Sequence, residues 1–219
     1  MGSQQNADLT NLLRWSIENS STSSDPNAPT TGSTSGPRTQ LDQEALRRLV
    51  FGGPSDADRM KDAMATIQHP DASLDDKLTA FDNFEQLVEQ IDNANNMEPL
   101  KLWQPLVDQL NSEEAELRKW AAWCLATAVA NNAKAQERMM VLGAIPTLVK
   151  QATQDSSLDA RKKAILALSS GVRNYQPAMD QAAEHIPKEH LPEGRVDAAN
   201  MEAIDGIMKS LRESSANKA

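Results

Sequence analysis

Apolar residues recur at helical spacing along most of the chain beyond residue 41. The first complete stripe consists of Leu78, Phe81, Phe84, Val88 and Ile91. Intervals of three and four residues place these side chains on one face of a helix. Ser73 precedes the stripe and Asp76 follows Ser73 by three residues, a spacing typical of a helix N-terminus. The pattern predicts a helix over 73–91, which the segment 92–96 (DNANN) ends because asparagine tolerates the left-handed conformation.

Two further stripes extend the helical pattern. The segment 97–110 predicts a second helix, with an apolar face of Leu102, Trp103, Leu106, Val107 and Leu110. The segment 196–211 predicts a final helix, with an apolar face of Val196, Ala203, Ile204, Ile207, Met208 and Leu211. No segment combines period-two alternation with the β-branched residues typical of strands. The sequence therefore predicts an all-α fold.

The centre of the chain contains an internal repeat. Residues 118–131 and 161–174 both follow the pattern R-K-x-A-x3-L-x3-V-x-N, at an offset of 43 residues. Upstream, Pro105 and Pro146 precede similar Leu-Val pairs, and proline suits the first turn of a helix. A helical repeat near 42 residues is typical of armadillo and HEAT proteins. Each repeat is too small to bury its own apolar face, so neighbouring repeats stack into a right-handed superhelical solenoid.

The ends of this repeated body follow from composition. The segment 143–149 (GAIPTLV) is similar to an armadillo opening, with Gly143 ending one helix and Pro146 beginning the next. The repeat pattern stops after Asn174, and three prolines interrupt the following sequence. We therefore expect an armadillo-like body over 41–182 and a capping helical region over 183–219.

A polar segment separates this body from the N-terminus. In residues 18–40, 18 of 23 residues are Ser, Thr, Pro, Gly or Asn, and none is Val, Leu, Ile or Phe. Such a segment buries too little apolar surface to offset its ordering entropy, which predicts a disordered linker. The residues before it, 1–17, form a short apolar arm. Its sequence allows two interpretations, a small helix docked on the body or a recognition segment that a partner protein binds.

Charge and composition exclude several classes of function. The formal net charge is −9, which argues against binding to nucleic acid or to an anionic membrane surface. No apolar run approaches the roughly 20 residues of a membrane span, and the N-terminal residues lack the pattern of a signal peptide. With a single cysteine in the sequence, no intramolecular disulfide can form. We expect a cytoplasmic protein.

The residues that carry chemistry form no site in the sequence. Cys124 lies on a predicted helix and is expected to pack as a small apolar residue. The three histidines lack the spacing of zinc ligands, and no glycine-rich phosphate loop is present. We therefore expect neither a metal nor a cofactor, and no enzymatic activity, because nothing assembles a nucleophile with a base and an orienting group.

Four segments resemble one protein family: 12–20 (LLRWSIENS), 51–70 (FGGPSDADRMKDAMATIQHP), 80–106 (AFDNFEQLVEQIDNANNMEPLKLWQPL) and 118–132 (RKWAAWCLATAVANN). They are similar to the fungal cytosolic nucleotide-exchange factors of the seventy-kilodalton heat-shock chaperone. These armadillo-type factors are related to the mammalian heat-shock-protein-binding protein. The resemblance covers about residues 9–175, and its most specific parts are the blocks 92–96 (DNANN), 100–103 (LKLW) and 127–132 (TAVANN).

The resemblance implies a function without catalysis. Such factors grip one lobe of the chaperone ATPase domain with the concave armadillo face and accelerate ADP release, and we expect this one to act as a monomer. In the family, the N-terminal arm also mimics a client peptide and reaches the chaperone's substrate domain. The residues that suit this role are apolar with one basic neighbour: Leu12, Leu13, Arg14, Trp15 and Ile17.

Six residues of the body are candidates for contact with the chaperone: Ala94, Asn95, Asn96, Arg118, Trp123 and Arg161. The first three lie in the DNANN segment, whose alternative role is helix capping. Arg118 and Arg161 belong to a basic cluster that recurs at the start of successive repeats and is otherwise a solvated face. Trp120 and Trp123 cannot both face the core, and Trp123 is expected to be the more exposed of the two.

The alternative function is that of an armadillo scaffold that binds an extended peptide, as nuclear-import adaptors do. That function needs ladders of Trp and Asn along one groove. Asn131 recurs as Asn174, but Trp120 aligns with Lys163 and Trp123 with Leu166. The incomplete Trp ladder and the small number of repeats argue against this function.

Overall fold

The structure is a computed structural model that describes residues 53–217. Within that range the chain forms ten α-helices and two short 3-10 segments, Gln109–Asn111 and Lys188–His190. In chain order the α-helices are α1 (Asp56–Gln68), α2 (Leu74–Val88), α3 (Ile91–Asn96), α4 (Trp103–Asp108), α5 (Ala115–Val129), α6 (Ala133–Val141), α7 (Ala144–Gln154), α8 (Leu158–Val172), α9 (Gln176–His185) and α10 (Met201–Ala216). The all-α prediction is confirmed for this part of the chain.

The internal repeat corresponds to a three-helix unit. Helices α5 and α8 contain the R-K-x-A pattern, are each 15 residues long and begin at 115 and 158, which reproduces the offset of 43. The shorter helices α6 and α9 begin at 133 and 176 with the same offset. Helix α2 also has 15 residues and begins 41 residues before α5. It is a third copy of the long helix.

The long helices stack side by side in chain order. Helix α2 packs on α5, α5 on α8 and α8 on α10, while α7 packs on α8 and α9 packs on both α7 and α8. This is the nearest-neighbour stacking of a solenoid, in which each unit buries its apolar face against the next. A continuous core therefore runs from α1 to α10.

Small side chains make this stacking close. Helices α5 and α8, which pack on each other, contain alanines with almost no exposed surface: Ala121, Ala122, Ala126, Ala128, Ala164 and Ala167. Among the described residues, the fully buried aromatic side chains, Phe81, Phe84 and Trp103, all lie in the first unit. The low aromatic content therefore reflects helices that approach through alanine and aliphatic side chains.

Polar side chains define where the helices begin. The Ser73 hydroxyl accepts a hydrogen bond from the Asp76 backbone N–H at 3.1 Å, which confirms the predicted N-terminus of α2. Asn132, Ser157 and Asn200 cap α6, α8 and α10 in the same way. Each cap satisfies a backbone donor that the helix itself cannot.

Left-handed residues end the helices. Asn131 and Asn174 follow α5 and α8 with φ of 54° and 57°, and Gly143 separates α6 from α7 with φ of 72°. The prediction that Gly143 ends a helix is confirmed. Pro146 is the third residue of α7, where its missing N–H costs no intrahelical hydrogen bond.

The prediction of one helix over 97–110 is wrong. Lys101 adopts φ of 59° and ends a first turn, and α4 starts only at Trp103. The backbone N–H of Leu102 donates to Met97 O at 2.9 Å and that of Lys101 donates to Glu98 O at 3.0 Å. These two hydrogen bonds form a Schellman motif, which satisfies the last carbonyls of the turn.

The prediction that 92–96 ends the helix over 73–91 is also wrong. Helix α2 ends at Val88, and the DNANN residues belong to the separate helix α3. The Asn93 side chain holds α3 against its neighbours by donating to Leu87 O at 3.0 Å and to Asp56 Oδ2 at 3.2 Å. Asn93 therefore acts through its side chain, and none of the asparagines of this segment adopts the left-handed conformation.

The C-terminal boundaries differ from the expected ones. The expected end of the body, residue 182, lies inside α9. This helix continues to His185 and stops before Pro187. Helix α10 begins at Met201 and not at Val196, because Asn200 caps it, and it extends to Ala216. The segment before it is irregular and is fixed by a backbone hydrogen bond from Asn174 N–H to Ala198 O at 2.9 Å.

Candidate functional site

The DNANN candidates have different degrees of exposure on α3. Ala94 is 1% exposed and packs in the core, Asn95 is half-buried and Asn96 is exposed. Asn95 Oδ1 accepts a hydrogen bond from Asn132 Nδ2 at 3.2 Å, which links the first unit to the N-terminus of α6. Of the three candidates, Asn95 and Asn96 therefore present polar atoms toward solvent, and Ala94 does not.

A groove of about 310 Å³ runs between α3, α4 and α6. Its walls include Asn95, Trp103 and Val141, and Val141 is 62% exposed. An ion pair between Arg138 Nε and Glu98 Oε2 at 2.6 Å bridges the groove. Both signs of charge line it, so the groove has no net electrostatic preference for a ligand.

Arg118 lies in an internal network of hydrogen bonds. Its Nε and Nη2 donate to the two oxygens of the Asp155 carboxylate at 2.6 and 2.8 Å. Its Nη1 donates to Ser112 O and Glu113 O. The side chains of Arg118 and Asp155 are 15% and 4% exposed. Arg118 thus connects the loop before α5 to the loop before α8.

The electrostatics of this pair match its geometry. Burial acts to raise the pKa of Asp155, but hydrogen bonds from Arg118 and the Ser157 N–H, with the charge of Arg118, hold it below its usual value. The hydrogen bond to Asp155 correspondingly raises the pKa of Arg118, against the effect of burial. Each charge is stabilised by the other, so the pair is a structural unit.

Arg161, the repeat equivalent of Arg118, is still more deeply buried. It is 3% exposed, and its guanidinium donates to Ser215 Oγ and Ser215 O at 3.0 Å each. A further hydrogen bond goes to Asp155 O at 2.5 Å. Arg161 therefore fastens α10 to α8. Its burial argues against direct contact between this side chain and a partner.

Trp120 and Trp123 form a stacked pair on α5. Their ring centroids lie 4.7 Å apart with an interplanar angle of 16°, and both side chains are half-buried. Lys163 of α8 places its Nζ 3.2 Å from the centre of the Trp123 ring. As expected, the two tryptophans do not both face the core: Trp120 packs against the core residues, whereas Trp123 stacks on Trp120 and contacts Lys163.

A buried carboxylate that the sequence analysis did not identify lies between α2 and α5. Glu85 of α2 is 7% exposed, and Thr127 Oγ1 donates to Glu85 Oε1 at 2.6 Å. Glu85 occupies the apolar stripe between Phe84 and Val88, and a charge in such a stripe is the signal that reveals it. Burial and the negative charge of Glu85 raise the pKa of the Cys124 thiol well above its usual value. The thiol is therefore protonated and unreactive at neutral pH.

The surface features of the described units are suited to contact with a partner. In residues 53–217, no group of three or more His, Cys, Asp or Glu residues is placed to hold a metal ion. None of the helices in the same range has the length and apolar character to cross a membrane. The surface features are instead a polar helix end, a mixed-charge groove and an aromatic pair capped by lysine. The arm candidates Leu12, Leu13, Arg14, Trp15 and Ile17 lie outside the described residues.

Two family models together match most of the chain. The model described as nucleotide exchange factor Fes1 matches residues 9–97, and the model described as the SIL1/FES1/HPBP1 C-terminal domain matches residues 93–186. The chain is 53% identical over 210 residues to the Hsp70 nucleotide exchange factor FES1 of Gibberella zeae, which covers 94% of this chain and 95% of the relative. The chain belongs to the Fes1 family. The Fes1 relative from Coccidioides immitis is 47% identical over 206 residues, with 94% of this chain and 97% of the relative covered.

Solved structures support the fold of this Fes1 family member. A designed armadillo repeat protein in complex with a (KR)4 peptide matches with a TM-score of 0.54 at 18% identity, covering 71% of this chain and 70% of that one. A second designed armadillo repeat protein matches with a TM-score of 0.55 at 16% identity, covering 72% and 70%. The Fes1 family resemblance and the armadillo-like architecture expected from the sequence are both confirmed.

Proposed function

We propose that this protein is a nucleotide exchange factor that binds the ATPase domain of Hsp70 and accelerates the release of ADP. The observation that carries the proposal is similarity along nearly the whole chain to proteins named as Hsp70 nucleotide exchange factors. The stacked helical units support it, since they offer a broad surface for a folded partner.

The exchange mechanism needs no catalytic residue in this protein. A factor that binds the nucleotide-free chaperone more tightly than the ADP-bound form lowers the affinity for ADP by the same factor. Binding energy is thereby converted into faster nucleotide release. The mechanism therefore needs only a contact surface on this protein. It does not involve Cys124, which is buried.

The contact surface that we propose consists of Asn95, Asn96 and Trp123. These are the expected contact residues that present polar or aromatic atoms at the surface of the described units. The other three candidates support this surface from inside the protein. Ala94 packs α3 against the core, and Arg118 and Arg161 hold neighbouring helical units together. We expect substitutions at these three positions to affect binding through the geometry of the surface.

We also propose that the arm at 1–17 occupies the substrate domain of the chaperone. Leu12, Leu13, Trp15 and Ile17 supply apolar side chains and Arg14 a basic neighbour. Because the body holds the arm near the chaperone, a linker of 23 residues gives it a high effective concentration. The arm would then compete with a client for the same site.

The peptide-adaptor alternative receives less support. The ring centroids of Trp120 and Trp123 lie 4.7 Å apart, which leaves no space for a peptide side chain between them. Asn131 and Asn174 follow their helices in the left-handed conformation and so have a structural role. A ladder that clamps an extended peptide would need open aromatic slots and free asparagine amides.

One experiment tests the proposal. Hsp70 loaded with fluorescent ADP is mixed in a stopped-flow instrument with excess unlabelled nucleotide, with and without this protein. We expect release to be accelerated at micromolar protein and the effect to saturate with concentration. An unchanged release rate would contradict the proposed function.

Two further expectations need their own measurements. Light scattering of the 23.9 kDa chain tests whether the protein is a monomer. Fractionation of cells tests the cytoplasmic location.

A further inference from the structure

The surface around Trp123 contains a lysine, Lys163, that forms no ion pair with another described residue. Lys119 and Lys162 each form an ion pair with an acidic residue one turn earlier on the same helix, Glu116 and Asp159 respectively. Lys163, by contrast, has no carboxylate oxygen within 4 Å of Nζ and donates no hydrogen bond in the part of the chain that the structure describes. Its ammonium group instead lies on the face of Trp123.

The surroundings make this ammonium group available to an external acceptor. Burial lowers the pKa of Lys163, and Lys119 lowers it further, while the charges of Glu85 and Asp159 oppose this. The aromatic ring holds the cation in place but satisfies none of its three N–H donors. The side chain is thus partly desolvated and already oriented before any partner arrives, so binding to it requires little further ordering.

Apolar surface lies next to this cation. Trp120 and Trp123 are half-buried, and Leu166 on the following turn of α8 is 38% exposed. Aromatic residues beside a partly desolvated charge are the composition of an interface hot spot. We call Trp120, Trp123, Lys163 and Leu166 the tryptophan–lysine patch.

We propose that the tryptophan–lysine patch is the anchor of the chaperone interface and that it binds a carboxylate flanked by an apolar side chain on the Hsp70 surface. The carboxylate accepts hydrogen bonds from Lys163 Nζ, and the apolar neighbour covers Leu166 and the edge of the tryptophan pair. A basic segment is disfavoured here, because Lys163 and the nearby Lys119 repel it. This inference rests on the function proposed above and identifies the chemistry that its surface recognises.

The test measures the affinity of the full chain for purified Hsp70 by calorimetry at two salt concentrations. We expect Lys163→Met to weaken binding about tenfold, because it removes the charge and keeps a similar apolar stem. Its affinity should also fall less between low and high salt than that of the unsubstituted chain. Lys163→Arg retains a cation and should stay within about threefold, whereas Lys163→Glu should lose more than Lys163→Met because it repels the partner carboxylate.

The matched control is Lys150→Met, at an exposed lysine of α7 outside the patch. It removes the same charge from the molecule and should leave affinity within about twofold. Equal affinities of Lys163→Met and Lys150→Met, in a chain that does bind Hsp70, would overturn the anchor and leave the exchange function intact. If the unsubstituted chain fails to bind Hsp70, both the anchor role of the patch and the proposed exchange function are overturned. Circular dichroism of each variant confirms that an affinity loss does not come from unfolding.

Discussion

Asp155 joins consecutive repeats through a single carboxylate. It accepts hydrogen bonds from Arg118 and from the Ser157 N–H, and its backbone oxygen accepts one from Arg161. Its side chain is 4% exposed. Arg118 and Arg161 are equivalent residues of successive repeats, and both donate to Asp155, which has no equivalent acid in the preceding repeat. The junction therefore depends on Asp155.

We expect Asp155→Asn to destabilise the protein by about 3 kcal/mol, because it leaves a nearly buried guanidinium without its counter-charge. Urea unfolding followed by circular dichroism measures the change. Asp159→Asn, at an exposed carboxylate of α8, is the control and should change stability by less than about 0.5 kcal/mol. Equal stability of the two variants would show that the Arg118 pair contributes nothing.

The same residue predicts a dependence on pH. Since the pKa of Asp155 is lower in the folded protein, its contribution is fully present above the pKa of the unfolded chain, about 4. The contribution is lost as the pH falls through the lower folded-state pKa. The stability difference between the unsubstituted chain and Asp155→Asn should therefore be constant near neutral pH and shrink below about pH 4. A difference that does not depend on pH would contradict this assignment.

The left-handed asparagines give a second prediction for single residues. Asn131 has φ of 54° and is exposed, so its contribution lies in backbone conformation. We expect Asn131→Gly to be neutral or slightly stabilising, and Asn131→Val to cost about 1 kcal/mol or more, because a β-branched residue is strained there. Thermal unfolding of the two variants provides the measurement, and a valine variant as stable as the glycine variant would refute the role.

Sequence and structure differ most where one residue has two possible roles. A basic residue at the start of each repeat can face solvent or can form a buried link between helices. The sequence spacing alone does not show which of these roles Arg118 has and which Lys119 has. What separates them is the position of Asp155, which lies 37 residues away in the chain. The environment of the half-buried Trp123 likewise depends on Lys163 from the next repeat. Such contacts between repeats are the information that a local pattern lacks.

Among the elements, the long helices were the most predictable. The R-K-x-A pattern identifies α5 and α8, which have equal length and the predicted offset. Helix α2 has the same length but lacks this pattern, so its place in the repeat emerged only from its packing on α5. The sequence does not predict the short helices correctly where a left-handed residue interrupts an apolar stripe. Lys101 is such a residue, between α3 and α4.

Helix α10 closes the stack, and its attachment can be tested. Ser215 supplies two acceptors to the buried Arg161, and the apolar face of α10 is buried through Ile204, Ile207 and Leu211. We expect Ser215→Ala to cost about 1 kcal/mol, because the backbone acceptor stays while the hydroxyl is lost. Truncation after residue 200 should cause aggregation, because the terminal apolar face of a solenoid becomes exposed.

Chemical unfolding and light scattering measure these two effects. Lys209→Ala, at a lysine whose side chain is 75% exposed on the same helix, is the control and should change stability by less than about 0.5 kcal/mol. A soluble, cooperatively folded truncation would mean that α8 alone terminates the stack and that α10 is dispensable.

At the scale of the whole molecule, the function proposed here assigns two tasks to two parts of the chain. Under this proposal, the armadillo-like body, which carries the tryptophan–lysine patch, would accelerate nucleotide exchange, and the arm would promote client release. The net charge of −9 is no guide to the interface, because the patch presents a lysine that forms no ion pair with any residue of 53–217. Local composition at the contact surface, and not total charge, determines which partner it fits.

Deleting residues 1–40 separates the two tasks. We expect the shortened chain to accelerate ADP release from Hsp70 almost as well as the full chain, because the body supplies the surface that couples to the nucleotide site. Release of a fluorescent client peptide should be slower, because the competing segment and its effective concentration are lost together. In the full chain, replacing Leu12, Leu13 and Trp15 by serine should reproduce the slower client release, whereas scrambling 18–40 at constant composition should not. Equal client release by the shortened and full chains would refute a role for the arm and leave the exchange function to the body alone.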